Sequence, residues 1–167
     1  MNRRRFLSSS IMALAGASGL VPPLAAHAQQ AKVEKVDKIE KITKTPDEWR
    51  KTLTPVQFSV LREEGTERPF TSPLNNEKRK GTFVCAGCDL PLFDSKTKFE
   101  SGTGWPSFYD VIPGRVDTMT DHKLIMARTE YHCARCGGHQ GHVFDDGPKP
   151  TGLRYCNNGV ALKFIPA

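Results

Sequence analysis

The 167-residue sequence predicts a mainly β domain opened by two short helices. Three observations carry that prediction. Beyond Gly65 the apolar residues fall into short runs punctuated by Gly, Pro, Asn and Asp, the texture of strands and turns. Just upstream, two Thr-Pro pairs each stand where a helix start would be closed by a side chain. Four of the five cysteines, finally, are grouped as two C-x-x-C pairs, a spacing that clamps β structure around a metal ion. With 38% hydrophobic and 25% charged residues the chain is a soluble globular protein, which excludes a disordered chain and a multi-span membrane protein. The length admits one domain with tails and no second large one.

The N-terminus comes first. Arg3-Arg4-Arg5-Phe6-Leu7, a weakly apolar stretch from Ile11 to Leu20 and Ala26-His27-Ala28 form a basic region, a short hydrophobic region and an A-x-A exit site. Residues 1–28 are therefore expected to be a signal peptide that sends the chain to the periplasm. The twin arginines resemble the address of proteins exported after folding, with a plain Sec signal as the competing reading. The apolar stretch is shorter than the ~20 residues a span needs, so stable membrane insertion is not expected. The formal charge is +6; removing Met1 to Ala28 takes three arginines and no acid, leaving +3, which gives no support to a nucleic-acid partner. Residues 29–44 alternate Lys and Glu with Val and Ile and are read as a polar tether. The domain is expected over residues 45–167.

Thr45-Pro46-Asp47-Glu48 and Thr54-Pro55-Val56-Gln57 each place a capping threonine, a proline at the first helical position and a side chain that can reach back at the third. The first helix should end near Leu53 and the second near Glu64, with Gly65 in the left-handed position. Trp49, Val56, Phe58, Val60 and Leu61 supply apolar contacts to the following sheet. Strands are expected at Thr82 to Val84, Lys123 to Tyr131, His142 to Phe144 and Val160 to Ile165, the last with Val160, Leu162 and Phe164 inward.

The knuckles Cys85-Ala86-Gly87-Cys88 and Cys133-Ala134-Arg135-Cys136 can each turn two thiolates toward one ion, and together they complete a tetrahedral, closed zinc site, one per chain, with a structural role. The competing reading is a disulfide framework, favoured by an oxidising compartment; bridges inside C-x-x-C would be strained and redox-active. Cys156 stands apart between Arg154 and the amides Asn157 and Asn158. A lone cysteine is usually a small buried hydrophobe, but a guanidinium neighbour favours thiolate and points to a reactive thiol. His139 and His142, three apart behind the second knuckle, are metal ligands, structural residues or proton donors. Trp105, in the glycine-rich stretch Ser101 to Phe108, either plugs the core or walls an apolar pocket.

These residues are together recognisable. Glu67-Arg68-Pro69-Phe70-Thr71, the two knuckles, Ser101 to Phe108, Gly138 to Phe144, Asp146-Gly147-Pro148, Pro150-Thr151-Gly152 and Arg154-Tyr155-Cys156 with Asn158 resemble the methionine-R-sulfoxide reductase (SelR-type) family over about residues 46–166. The resemblance implies two antiparallel sheets (a β-tent, Mss4-like fold) preceded by short helices, with a structural zinc away from the active site. It implies reduction of the R epimer of methionine sulfoxide, chiefly in oxidised proteins. It makes Cys156 the nucleophile, Trp105 and Phe108 the substrate-binding residues, His139, His142 and Asn158 the group that handles the sulfoxide oxygen, and Arg154 the arginine beside the thiol. Two departures stand out: Thr103 occupies the place where many members carry a resolving cysteine, and Gly159 replaces a common serine and is expected to loosen the nucleophile loop. A one-cysteine cycle follows, in which a sulfenic acid on Cys156 is reduced by an external, thioredoxin-like thiol. A monomer is expected.

Overall fold

The computed structural model describes residues 39–121 and 128–167. The expected signal peptide, the tether up to residue 38 and the first half of the strand expected from Lys123 lie outside the described residues.

Both helices begin as their caps dictate. α1 (Pro46–Thr52) and α2 (Pro55–Glu63) each open on a complete capping box, Thr45 with Glu48 and Thr54 with Gln57, and each has proline in its first turn. The end of α2 differs from expectation: Glu64, at φ 56°, takes the left-handed position, and the Gly65 N–H closes onto the Ser59 carbonyl. Val56, expected to pack inward, is exposed, while Trp49, Phe58, Val60 and Leu61 are buried. Residues 39–44 do more than tether: Ile39 and Ile42 pack against the core, and the Ile42 N–H reaches the Arg135 carbonyl.

Nine strands follow among the described residues: β1 (Gly81–Cys85), β2 (Pro91–Asp94), β3 (Lys98–Phe99), β4 (Ser107–Phe108), β5 (Val116–Asp121), β6 (Arg128–Cys133), β7 (His139–Phe144), β8 (Arg154–Asn157) and β9 (Leu162–Pro166). They form two antiparallel sheets, a three-stranded one ordered β2-β1-β9 and a six-stranded one ordered β3-β4-β8-β7-β6-β5. The expected last strand starts late, because Gly159–Ala161 form a 3-10 turn that buries Ala161; the alternation begins only at Leu162. No helix among the described residues is long and apolar enough to cross a membrane.

Aromatic rings join the sheets. Phe83 of β1 and Phe93 of β2 meet Phe108 of β4, edge-on at 4.9 Å and stacked at 4.1 Å between ring centroids, and Phe93 also meets Tyr131 of β6. Phe108 is fully buried in this seam. It is thus a core residue, which corrects its expected place at the substrate: Ser107 and Phe108 are adjacent in a strand and face opposite sides of the sheet. Phe108→Ala is expected to destabilise the fold by about 3–5 kcal/mol, read as a lowered denaturant midpoint in urea titration; an unchanged midpoint would place the ring outside the core.

Candidate active site and metal centre

The two knuckles adopt the same turn. In each, the residue after the second cysteine is left-handed, Asp89 at φ 59° and Gly137 at φ 66°, and its N–H returns to the carbonyl of the first cysteine. Glycine suits that conformation and Asp tolerates it. The turns bring four sulfurs together, all within 4.8 Å of one another, with Cys85 Sγ 3.7 Å from Cys136 Sγ and Cys88 Sγ 3.5 Å from Cys133 Sγ. A tetrahedral ion with metal–sulfur bonds of about 2.3 Å spaces its ligands by about 3.8 Å, so the set fits zinc. All four cysteines are free and the 3.5 and 3.7 Å separations far exceed the about 2.0 Å of a sulfur–sulfur bond, which argues against a disulfide framework. Donors also face the sulfurs, as anionic thiolates require: the Arg62 guanidinium lies 3.3 Å from Cys136 Sγ and the Gln140 amide 3.5 Å from Cys85 Sγ.

The fifth cysteine lies elsewhere. β8 runs between β4 and β7, and its register sets Ser107, Cys156, His142 and Glu130 directly opposite one another across four strands. Directly opposed residues share a face. On that face a cleft is lined by Cys156, His142, Phe144, Asn158, Arg128 and the Trp105 indole. Burial pushes the Cys156 thiol above its usual value, against the pull of the Arg154 guanidinium and the Thr103 hydroxyl. At neutral pH the sulfur is therefore held mainly as a thiol; the guanidinium moderates burial without overcoming it.

The predicted polar residues divide into those that line the cleft and those that support it. His142 lines it, with Nε2 2.9 Å from Asp121 Oδ2, which also accepts from Arg128 at 2.6 Å. His139 does not: it is 2% exposed and paired through Nδ1 with Glu130, its ring 5.6 Å from that of His142. Asn158 borders the cleft, but its amide is engaged at both ends, donating to the Gln140 carbonyl at 3.1 Å and accepting from the Glu67 N–H at 3.0 Å. His139 is thus withdrawn from the cleft toward Glu130, whereas Asn158 stays on the cleft lining with one amide N–H and its oxygen held by the backbone. Arg154 is held bidentately by Asp146 at 2.7 and 2.8 Å and lies over the Phe144 ring.

Glu67 joins the two walls. Its carbonyl accepts from the Trp105 indole N–H at 3.1 Å, and its buried carboxylate accepts from the N–H groups of Gly159 and Val160. Burial pushes its pKa above the usual carboxylate value, and the two N–H donors pull against that. Gly159 does not loosen the loop as expected: it is buried, pinned by Glu67, and a Cβ there would collide with Ser72 Oγ. Glu67 stands in the sequence only as part of a motif, and Asp121 carries no local signal; the one signal for Arg128 is alternation, since Arg128 and Glu130 fall on one face of a strand.

Comparison with known proteins matches the SelR domain model to residues 53–166. The chain is 58% identical over 122 residues to a peptide methionine sulfoxide reductase MsrB of Methanosarcina barkeri, covering 72% of this chain and 86% of that protein. It is 59% identical over 126 residues to one of Pseudomonas putida, covering 74% and 93%, and 56% identical over 124 residues to one of Agrobacterium fabrum, covering 74% and 92%. Among solved structures the Mis18 'Yippee-like' domain matches with a TM-score of 0.42 at 17% identity, over 53% of this chain and 98% of that one.

Proposed function

This chain belongs to the SelR-domain, MsrB-type family of peptide methionine sulfoxide reductases, and from that premise we propose that Cys156 reduces the R epimer of methionine sulfoxide in oxidised proteins. The observation that carries the reading is the register: β7 and β8 set Cys156 opposite His142, and the Trp105 indole closes the same cleft.

A sulfoxide sulfur is electrophilic, but its oxygen leaves only if it is protonated as the bond to sulfur weakens. The Cys156 thiolate attacks the sulfur. Asp121 holds Nε2 of His142, which leaves Nδ1 to serve the oxygen. The oxygen passes to Cys156 as a sulfenic acid; the cysteine sulfur is oxidised by two electrons and the substrate sulfur is reduced by two, giving methionine. One external thiol then displaces water to form a mixed disulfide and a second thiol releases Cys156. The other four cysteines are gathered in the metal cluster, so an external, thioredoxin-like reductant suits the cycle. Cys85, Cys88, Cys133 and Cys136 would hold a zinc ion in that cluster, which would supply structural cross-linking and no reacting position.

Epimer choice follows from the walls. With its methyl group against Trp105 and its oxygen toward His142, the R sulfoxide satisfies both, whereas the S epimer presents its oxygen to the indole face and leaves it without a donor. Incubation with separated epimers and a dithiol is expected to convert R alone to methionine. Conversion of S alone, or of disulfides without any sulfoxide, would replace this reading with a different reductase.

A further inference from the structure

We propose that Thr103 is a positioning residue for Cys156, the near end of a chain of hydroxyls that turns with the state of the sulfur. Ser107 sits directly across β4 and β8 from Cys156. Its hydroxyl donates to the Trp105 carbonyl at 3.2 Å and lies 2.7 Å from Ser101 Oγ, which lies 2.8 Å from Thr103 Oγ1. The chain thus runs beside the Cys156 strand, and its Thr103 hydroxyl is one of the groups that favour the thiolate at the Cys156 sulfur.

Each hydroxyl has one proton to give. Because Ser107 spends its own on the Trp105 carbonyl, Ser101 gives to Ser107 and Thr103 gives to Ser101. The Cys156 thiol then gives to Thr103. That order suits the neutral sulfur, which is the form burial favours. A thiolate has no proton to give and demands one. The chain then reverses: Thr103 donates to sulfur, Ser101 to Thr103 and Ser107 to Ser101, and only the bond to the Trp105 carbonyl is given up. Hydrogen bonds to an ionised acceptor are stronger than neutral ones, so the reversal favours the thiolate. The same loop carries the indole wall, so the device couples the sulfur's charge to the wall of the cleft.

The inference rests on Cys156 being the reacting thiol, and its test needs no sulfoxide. The rate of iodoacetamide alkylation of Cys156, followed by mass spectrometry across pH in the folded, metal-loaded protein, reports the thiolate fraction. Thr103→Val, which keeps shape and removes the hydroxyl, is expected to shift the profile upward by about one pH unit, slowing alkylation about tenfold at neutral pH. The rates should converge above the thiol's titration. Thr103→Ser is expected to restore the wild-type profile. Ser101→Ala, which removes the second hydroxyl, should shift it less and in the same direction, and it serves if the valine variant does not fold. Profiles that superimpose, or a serine variant as impaired as valine, would overturn the proposal. Loss of sulfoxide reduction with an unchanged alkylation profile would also count against it, whereas absent reductase activity in the wild type would strike only the function proposed above.

Discussion

Cys85→Ser is expected to leave little folded protein. Cys85 ends β1 in the three-stranded sheet and Cys133 ends β6 in the six-stranded sheet, so an ion held by the two knuckles cross-links both layers. Structural zinc sites contribute on the order of 10–16 kcal/mol of apparent binding free energy, and domains of this size are stable by about 5–15 kcal/mol in total. Losing one ligand removes a substantial part of the first quantity and is compared with the whole of the second. The measurements are thermal melting by circular dichroism and metal content by mass spectrometry. The variant should lose both the metal and the cooperative transition, and a strong chelator should do the same to the native chain, while dithiothreitol should leave it folded. Disulfides across the knuckles would reverse those two responses. A metal-free protein melting at the native temperature would remove the cluster from any structural role.

The helix starts were legible because capping is a local affair: Thr45 with Glu48 and Thr54 with Gln57 satisfy N–H groups within four residues of themselves. The knuckles were legible for the same reason, since each turn closes on itself before the two meet. What resisted reading was register. Phe108 and Ser107 are neighbours in sequence and lie on opposite faces, and only the pairing of Ser107 with Cys156 decides which of the two belongs to the site. His139 and His142 are three apart, a spacing that separates faces in a regular strand; an irregularity in the β6–β7 register at Tyr131 and His132 brings their rings near each other, with His139 buried against Glu130. Asp121 and Arg128 pair with each other across β5 and β6, and they meet His142 only because β6 also pairs with β7, a juxtaposition the alternation within one strand does not announce. The titration of Cys156 divides in the same way: the pull of Arg154, two residues away, is legible in sequence, whereas the burial that outweighs it is a property of the assembled sheet.

Cys156→Ser is expected to abolish sulfoxide reduction, by at least about a thousandfold in rate, while the fold and the metal content stay as they are. The substitution exchanges sulfur for oxygen at a half-buried position, keeps a partner for Thr103 and removes no apolar contact of the aromatic seam, so stability should change by no more than about 1 kcal/mol. The chemistry has no such tolerance. A serine hydroxyl is far less acidic than a thiol, and His142 is already tied to Asp121, which in the proposed mechanism commits it to the sulfoxide oxygen and not to activating a hydroxyl. Oxygen also lacks the lower-cost oxidation state that lets sulfur accept the transferred atom as a sulfenic acid. Turnover should vanish in the R-epimer assay, and a sulfenic-acid trap that labels the native chain after one equivalent of sulfoxide should label nothing in the variant. Retained turnover with an intact melting curve would move the reaction to the metal-cluster thiols, and a native protein that binds oxidised peptides without converting them would make the chain a recognition module. Either result would break the division between four sulfurs that hold the sheets together and one that reacts.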